Sequence, residues 1–266
     1  MRKTLLASVS AVVLSSSAVM AADMPTKARS MPAPPPAWTG FYVGLNAGYA
    51  WGNSDPTLIG SANVPPLFLG AAIGSLPDLS PHGFIGGGQA GYNWQTGQWV
   101  FGAEVDFSGL GAKADAAVSP FFAGKGGRNT FAWSSRYDWL FTARLRGGYL
   151  VTPNWLLYVT GGLAVTRVRD SVDCTPTSGS GCGDFSGGVN WSGSSTLTGG
   201  TIGGGVETMF APNWTARVEY LYAKFTDTTP PVTTVPPFTT TPIPSLFSFH
   251  HNLNVVRFAI NYKFSP

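Results

Sequence analysis

The fold class this sequence predicts is all-β, an eight-stranded antiparallel up-and-down transmembrane β-barrel, and three observations carry that prediction. The first is strict alternation through one hairpin, residues 137–169. Trp139, Phe141, Ala143, Leu145, Gly147 and Tyr149 share one face, and Asp138, Thr142, Arg144, Arg146 and Gly148 share the other. After Thr152-Pro153-Asn154 the period of two resumes, with Leu157, Val159, Gly161, Leu163 and Val165 opposite Tyr158, Thr160, Gly162, Ala164 and Thr166. The second is length and sidedness. Strands of a soluble sandwich typically run about 5–6 residues and turn their apolar face inward. These segments approach the roughly 9–11 residues that cross a bilayer, and their second face carries arginines, so the apolar band faces outward over a polar interior. The third is connectivity: tight turns and long connections alternate strictly, as expected of short periplasmic turns, long external loops and two periplasmic termini.

Composition agrees with that class. The 34 glycines, 11% charged residues and 13% aromatics point away from a helical enzyme. Arg2 and Lys3 precede an apolar run over 5–14, and small residues lead to Val19-Met20-Ala21, so residues 1–21 read as a signal peptide removed on export. Its loss takes two cations and no acids from a chain with 16 basic and 13 acidic residues, leaving it near neutral, with no nucleic-acid partner suggested. No later stretch offers the roughly 18 uninterrupted apolar residues of a membrane helix. An exported chain with this alternation belongs in the outer membrane. Residues 22–37, with Lys27, Arg29 and Pro32-Ala33-Pro34-Pro35-Pro36, lack apolar periodicity and read as an extended periplasmic linker, leaving 38–266 as the barrel.

The first strand spans about 40–52, with Phe41, Val43, Leu45, Ala47, Tyr49 and Trp51 outward and Tyr42, Gly44, Asn46 and Gly48 inward. Residues 53–82, broken by Pro56, Pro65, Pro66, Pro77 and Pro81, read as a long loop. The second strand, 83–95, sets Phe84, Ala90, Tyr92 and Trp94 against Gln89, Gly91 and Asn93, and Thr96-Gly97 turns it tightly. The third, 98–110, opposes Trp99, Phe101, Ala103, Val105 and Phe107 to Gly102, Glu104, Asp106 and Ser108. A loop over 111–131 leads into the hairpin that forms strands four and five, and another over 170–194 holds Cys174 and Cys182. The sixth strand, 195–210, is glycine-rich but opposes Ile202, Val206 and Phe210 to Thr201, Gly205 and Glu207. Ala211-Pro212-Asn213 turns it into the seventh, 214–225, where Ala216, Val218, Tyr220 and Tyr222 oppose Arg217 and Glu219. A Thr/Pro-rich loop over 226–247 precedes the eighth, with Val256, Phe258, Ile260, Tyr262 and Phe264 outward and Arg257, Asn261 and Lys263 inward. Trp94, Trp99, Tyr149, Trp155, Phe210, Trp214, Tyr262 and Phe264 all flank the tight turns, as an interfacial girdle requires. No segment follows the last strand, so a C-terminal wall-binding domain is not expected.

Particular motifs add a resemblance. Trp-Thr-Gly-Phe-Tyr-Val-Gly at 38–44, Pro-Asn-Trp at 153–155 and 212–214, Arg-Val-Glu-Tyr at 217–220 and Val-Arg-Phe-Ala-Ile-Asn-Tyr-Lys-Phe at 256–264 resemble the outer-membrane immunogenic protein family of α-proteobacteria, an opacity-type branch of porin-like barrels. The resemblance spans essentially the whole mature chain. It implies an eight-stranded barrel inserted by the barrel-assembly machinery. Such chains usually end on the aromatic that this machinery recognises, whereas Ser265 and Pro266 follow Phe264.

The candidate site is a lumen charge network of Glu104, Asp106, Arg136, Asp138, Arg144, Arg146, Glu207, Arg217, Glu219, Arg257 and Lys263, all assigned inward. A barrel of eight strands has an interior just wide enough for side chains. Buried charges there must pair, so a plugged lumen is expected rather than a catalytic cleft. Gly86-x-Gly88-x-x-Gly91 formally matches a dinucleotide fingerprint but lies in a strand with no helix after it. His82, His250 and His251, with Ser80 and Ser248 nearby, fall near the external mouth, where a catalytic, metal or haem role is the alternative to plain loop residues; no nucleophile motif accompanies them.

The sequence thus predicts a monomeric, non-catalytic, structural and surface-interaction protein of a Gram-negative outer membrane. Its expected partners are outer-membrane lipid and lipopolysaccharide, it has no cofactor, and a small-solute porin is the runner-up. Cys174 and Cys182, an even pair in an oxidising compartment, are expected to form a disulfide, with a shared metal as the alternative. Closing so short a loop is worth roughly 2–3 kcal/mol in the chain-entropy account. Mass spectrometry of the unreduced protein should then find no free thiol, and two free thiols would exclude the bridge. Parity gives a second contrast: Leu145→Arg sets a charge on lipid, and Leu140→Arg, on the opposite face, is expected to be milder.

Overall fold

The computed structural model describes residues 37–58, 79–119, 121–122, 127–176, 189–226 and 247–264. The signal peptide 1–21 and all of the linker 22–37 except Ala37 fall outside them, as does Cys182. Ten strands appear among the described residues: β1 (Gly40–Leu58), β2 (His82–Thr96), β3 (Trp99–Leu110), β4 (Lys113–Val118), β5 (Phe121–Phe122), β6 (Gly127–Thr152), β7 (Trp155–Pro176), β8 (Val189–Ala211), β9 (Trp214–Phe225) and β10 (Phe247–Lys263). The sheet path runs β1-β10-β9-β8-β7-β6-β3-β2-β4, β1 also pairs with β2, and β6 also pairs with β4 and β5. Every one of these pairings is antiparallel.

This corrects the expected eight-stranded up-and-down transmembrane β-barrel: the described residues form an all-β, antiparallel ten-stranded sheet, and that eight-stranded barrel is not what its topology defines. Part of the segment read as a loop over 111–131 is strand: β4 pairs with residues 131–136 of β6, so β6 serves β3 along one part of its length and β4 along another. Several strands also outrun their expected ends, because β1 continues to Leu58, β7 to Pro176, and β8 and β10 begin at Val189 and Phe247. Alternation of apolar and polar residues marks only the part of a strand that has one face on lipid or core. The backbone ladder depends only on pairing and continues beyond that signal, as in the pairing of Asn53 through Leu58 with Asn252 through Phe247.

Along the alternating segments the expected faces are occupied. Phe41, Leu45, Phe84, Trp94, Phe107, Leu145, Val159, Leu163, Ile202, Val218 and Phe258 are exposed, whereas Tyr42, Asn46, Ile85, Asn93, Asp106, Arg146, Tyr158, Ala164, Thr201, Arg217 and Arg257 beside them are buried. At the short-turn end Trp99 meets Tyr149 edge-on at 5.3 Å, and Trp214 meets Tyr262 at 5.1 Å. Between Tyr137 and Trp139 the β6–β7 register shifts by one residue, a bulge that leaves Asp138 without a direct partner and reverses the parity beyond it.

The interior is layered, and it is not polar throughout. Toward the long connections it holds an apolar cluster that includes Ile85, Leu110, Tyr137, Leu140, Val168, Leu197, Leu221, Phe225, Leu253 and Val255. Toward the short turns it holds Trp38, Val100, Leu150, Leu156, Tyr158 and Met209. Trp38, 1% exposed, folds in ahead of β1: its backbone N–H donates to Gln95 Oε1 at 2.8 Å and its indole N–H to the Pro153 carbonyl at 3.0 Å. Between the two apolar layers lie the buried charges.

Candidate functional site

Four carboxylates and four guanidinia occupy the middle layer: Glu104 and Asp106 on β3, Arg144 and Arg146 on β6, Glu207 on β8, Arg217 and Glu219 on β9 and Arg257 on β10, all buried. Period-two alternation turns each of them to the same side of the sheet, and the register sets Glu104 beside Arg144, Glu207 beside Arg217 and Glu219 beside Arg257. The decisive contacts reach further. Arg217 donates to both oxygens of Glu104, at 2.5 and 2.8 Å, although three strands separate β9 from β3 by either route around the pairings. Arg257 donates to Asp106 at 2.9 Å and to Glu219 at 2.8 Å, and Arg144 joins Glu219 at 2.9 Å and Glu104 at 2.5 Å. Arg146 binds Glu207 at 2.5 Å and lies 4.1 Å over the Tyr158 ring.

Neutral donors complete the acids' shells. Tyr42 donates to Glu104 at 2.7 Å, Tyr158 to Glu219 at 2.9 Å, Thr215 to Glu207 at 2.6 Å and Asn261 to Glu207 at 3.1 Å, and Thr142 donates to Asp106. A second chain of amides runs alongside, from Ser108 to Asn46, Asn46 to Gln89 and Gln89 to Asn261. Glycines make room for the phenols: a Cβ at Gly205 would stand 2.8 Å from the Tyr158 hydroxyl, and one at Gly91 would collide with the Tyr42 ring. The Gly86, Gly88 and Gly91 run therefore belongs to β2 and its packing. Every acid is held by at least one guanidinium and one neutral donor, the arrangement under which buried ion pairs are tolerated, although the Nε atoms of Arg146 and Arg217 make no hydrogen bond.

Three of the eleven residues assigned to this network lie elsewhere. The bulge at Asp138 sends Arg136 outward, where it is exposed, and Asp138 itself pairs with the exposed Arg169 at 2.7 Å. Lys263 sits at the short-turn end with its ammonium 3.5 Å from the Thr39 carbonyl. Sequence reasoning also left Tyr42, Tyr158, Thr142, Thr215 and Asn261 out of the network, although their inward parity was legible. Nothing local distinguishes a polar side chain that closes a distant ion pair from one that merely shares its face.

The three mouth histidines sit in different surroundings. His82 is exposed, with its Nδ1 at 2.9 Å from the Ser80 carbonyl, while His251 is buried against the Tyr137 hydroxyl at 3.0 Å and the adjacent His250 is exposed. Ser248 is placed only by its backbone, opposite Thr57. Among the described residues no cluster of three or more His, Cys, Asp or Glu side chains could hold a metal ion. Of the cysteine pair, Cys174 is placed by its backbone on β7, between Phe131 and Val189, and Cys182 lies outside the described residues.

Antiparallel strands with an apolar outer belt, an aromatic girdle at the short turns and an ion-paired interior define an outer-membrane β protein. The chain belongs to the outer membrane protein β-barrel domain family, whose pattern matches residues 9–239. It is 34% identical over 227 residues to the 31 kDa outer-membrane immunogenic protein of Brucella melitensis, covering 84% of this chain and 86% of that protein. It is 32% identical over 192 residues to the 22 kDa outer membrane protein of Rhizobium leguminosarum, covering 72% of this chain and 66% of the other. Among solved structures it is similar to Neisserial surface protein A, with a TM-score of 0.39 and 16% identity over 85% of this chain and 98% of that one. The protein is therefore a β protein of the outer membrane.

Proposed function

We propose that this chain is a sealed platform: its packed interior anchors it in the outer membrane as a monomer and blocks solute flow, and its long connections face the outside as the interacting surface. The termini and short turns are periplasmic in this reading, the outer leaflet's lipopolysaccharide surrounds the belt, and the barrel-assembly machinery inserts the chain. The aromatic girdle at the short turns and the length of the connections 59–78, 177–188 and 227–246 support that orientation. The observation that carries the sealed interior is the Arg217–Glu104 bridge, which spans the interior directly, with apolar layers on both sides of it. Water-filled porins instead line a wet channel with charges that tune selectivity.

Planar bilayers test it. The refolded wild type should show little or no steady conductance, and Arg146→Ala, which strands the Glu207 carboxylate, should lose stability before it gains permeability. A large, stable wild-type conductance whose ion selectivity shifts in Arg146→Ala, with no loss of stability, would replace this reading with the porin.

A further inference from the structure

On the outer face, just beyond the apolar belt, the β6–β7–β8 sheet gathers three arginines. The bulge at Asp138 is what brings Arg136 to this face, directly opposite Arg169 in the register, and Arg167 follows two positions along β7 opposite Trp139. β8 supplies hydroxyls at the same height, Thr196 opposite Arg167 and Ser194 opposite Arg169, and Arg167 donates to Ser194 Oγ at 3.1 Å. Together Ser134, Arg136, Arg167, Arg169, Ser171 and Ser194 line a shallow recess of about 510 Å³. Like charges directly opposite on a sheet are destabilising. Asp138 answers one guanidinium, through Arg169, while Asp170, which also borders the recess, lies on the other parity and is half-buried.

The position of the recess identifies its occupant. Trp139 stands ten residues along β6 from the girdle residue Tyr149. At about 3.4 Å per residue and a strand tilt of about 40°, that is a height of roughly 25 Å, the thickness of the apolar band of an outer-membrane barrel. Arg167 therefore sits at the far rim of the belt, and Arg136 and Arg169 lie two register pairs beyond it, where the headgroups of the leaflet begin. Guanidinia with neighbouring hydroxyls match phosphate oxygens in bidentate geometry, and partial desolvation at the rim strengthens such bonds.

We propose that Arg136, Arg167 and Arg169 form a binding site for the phosphate of a phosphorylated glycolipid headgroup in the outer leaflet. This rests on the orientation given under the proposed function. The test uses the refolded full-length chain in neutral phosphatidylcholine nanodiscs, titrated with diphosphoryl lipid A, with dephosphorylated lipid A and with inorganic pyrophosphate. Diphosphoryl lipid A should bind at least about tenfold more tightly than its dephosphorylated form. Arg167→Gln/Arg169→Gln should weaken it by about tenfold or more while keeping heat-modifiable mobility on gels. If that variant fails to fold, Ser194→Glu, which places an anion in the recess without removing an arginine, should give the same loss. Unchanged binding by the folded variants, or equal binding of the two lipids, would overturn the site. Pyrophosphate binding as tightly as the lipid would make it a general anion site and overturn the headgroup assignment. Orientation is read separately, by labelling Ser192→Cys in intact cells with a membrane-impermeant maleimide against the parent chain. Absence of labelling would overturn the orientation while leaving the phosphate chemistry to the nanodisc result.

Discussion

Replacing Arg217 by methionine should lower the free energy of unfolding by about 3–5 kcal/mol, the usual consequence of removing one partner of a buried ion pair. The side chain is fully enclosed and carries the two-bond bridge to Glu104. Glu104 would keep Arg144 and Tyr42 but lose the cation that balances it across the interior. Arg217→Lys should recover only part of the loss, since an ammonium cannot reproduce a planar two-bond fork. A thermodynamic cycle on the neighbouring pair separates charge from packing. Arg146→Met alone should be costly, whereas Arg146→Met with Glu207→Gln should be milder, because the amide oxygen can still accept from Thr215 and Asn261 without a stranded charge. Urea unfolding of the refolded protein, followed by heat-modifiable gel mobility, measures each variant. A double-variant cost equal to the sum of the costs of Arg146→Met and Glu207→Gln measured singly would mean that the charges are not coupled, and the interior would have to be wetter than its geometry indicates.

Leu140→Arg should be the more damaging of two substitutions five residues apart in one strand, reversing the order that parity alone suggests. Leu145 is 71% exposed on the outer belt, so an arginine there meets lipid at a cost of about 2–4 kcal/mol near mid-bilayer. Leu140 is 1% exposed and belongs to the interior apolar cluster with Tyr137, Val168, Leu197 and Leu221. Arginine at 140 would overfill a packed layer and add a fifth guanidinium to four already matched acids, combining overpacking of about 1–3 kcal/mol with an unpaired buried charge. Detergent distinguishes the two. In short-chain micelles Leu145→Arg should regain most of its folded, heat-modifiable fraction, since the micelle surface admits a snorkelling cation, and Leu140→Arg should not. Equal recovery would place Leu140 on the outer face.

The facing of the belt strands was legible because the period of two is local: Phe101, Ala103 and Val105 are displayed on one side of β3 and Glu104 and Asp106 on the other wherever that strand pairs. Family membership was legible for a similar reason, since it rests on short strings such as those at 38–44 and 256–264. The strand count was not. Lys113–Val118 has too little apolar contrast to announce a strand, and it becomes one only because residues 131–136 of β6 offer an unpaired ladder beside it.

The charge network divides along the same line. Its composition of balanced acids and arginines on the inward parity followed from the sequence, but the bulge at Asp138 removed Arg136 and Asp138 from it. A one-residue slip of register has no signature in the local pattern, since it depends on which neighbour each strand pairs with. The sequence by itself determined which residues of the belt segments could meet lipid and which had to avoid it, a preference set by transfer of side chains between water and hydrocarbon. Only the tertiary structure decided that Arg217 meets Glu104, that leucines rather than water fill the layer next to them, and that three arginines gather at the rim. Each of those outcomes depends on distances between strands far apart in the chain, and such distances exist only once the sheet has paired.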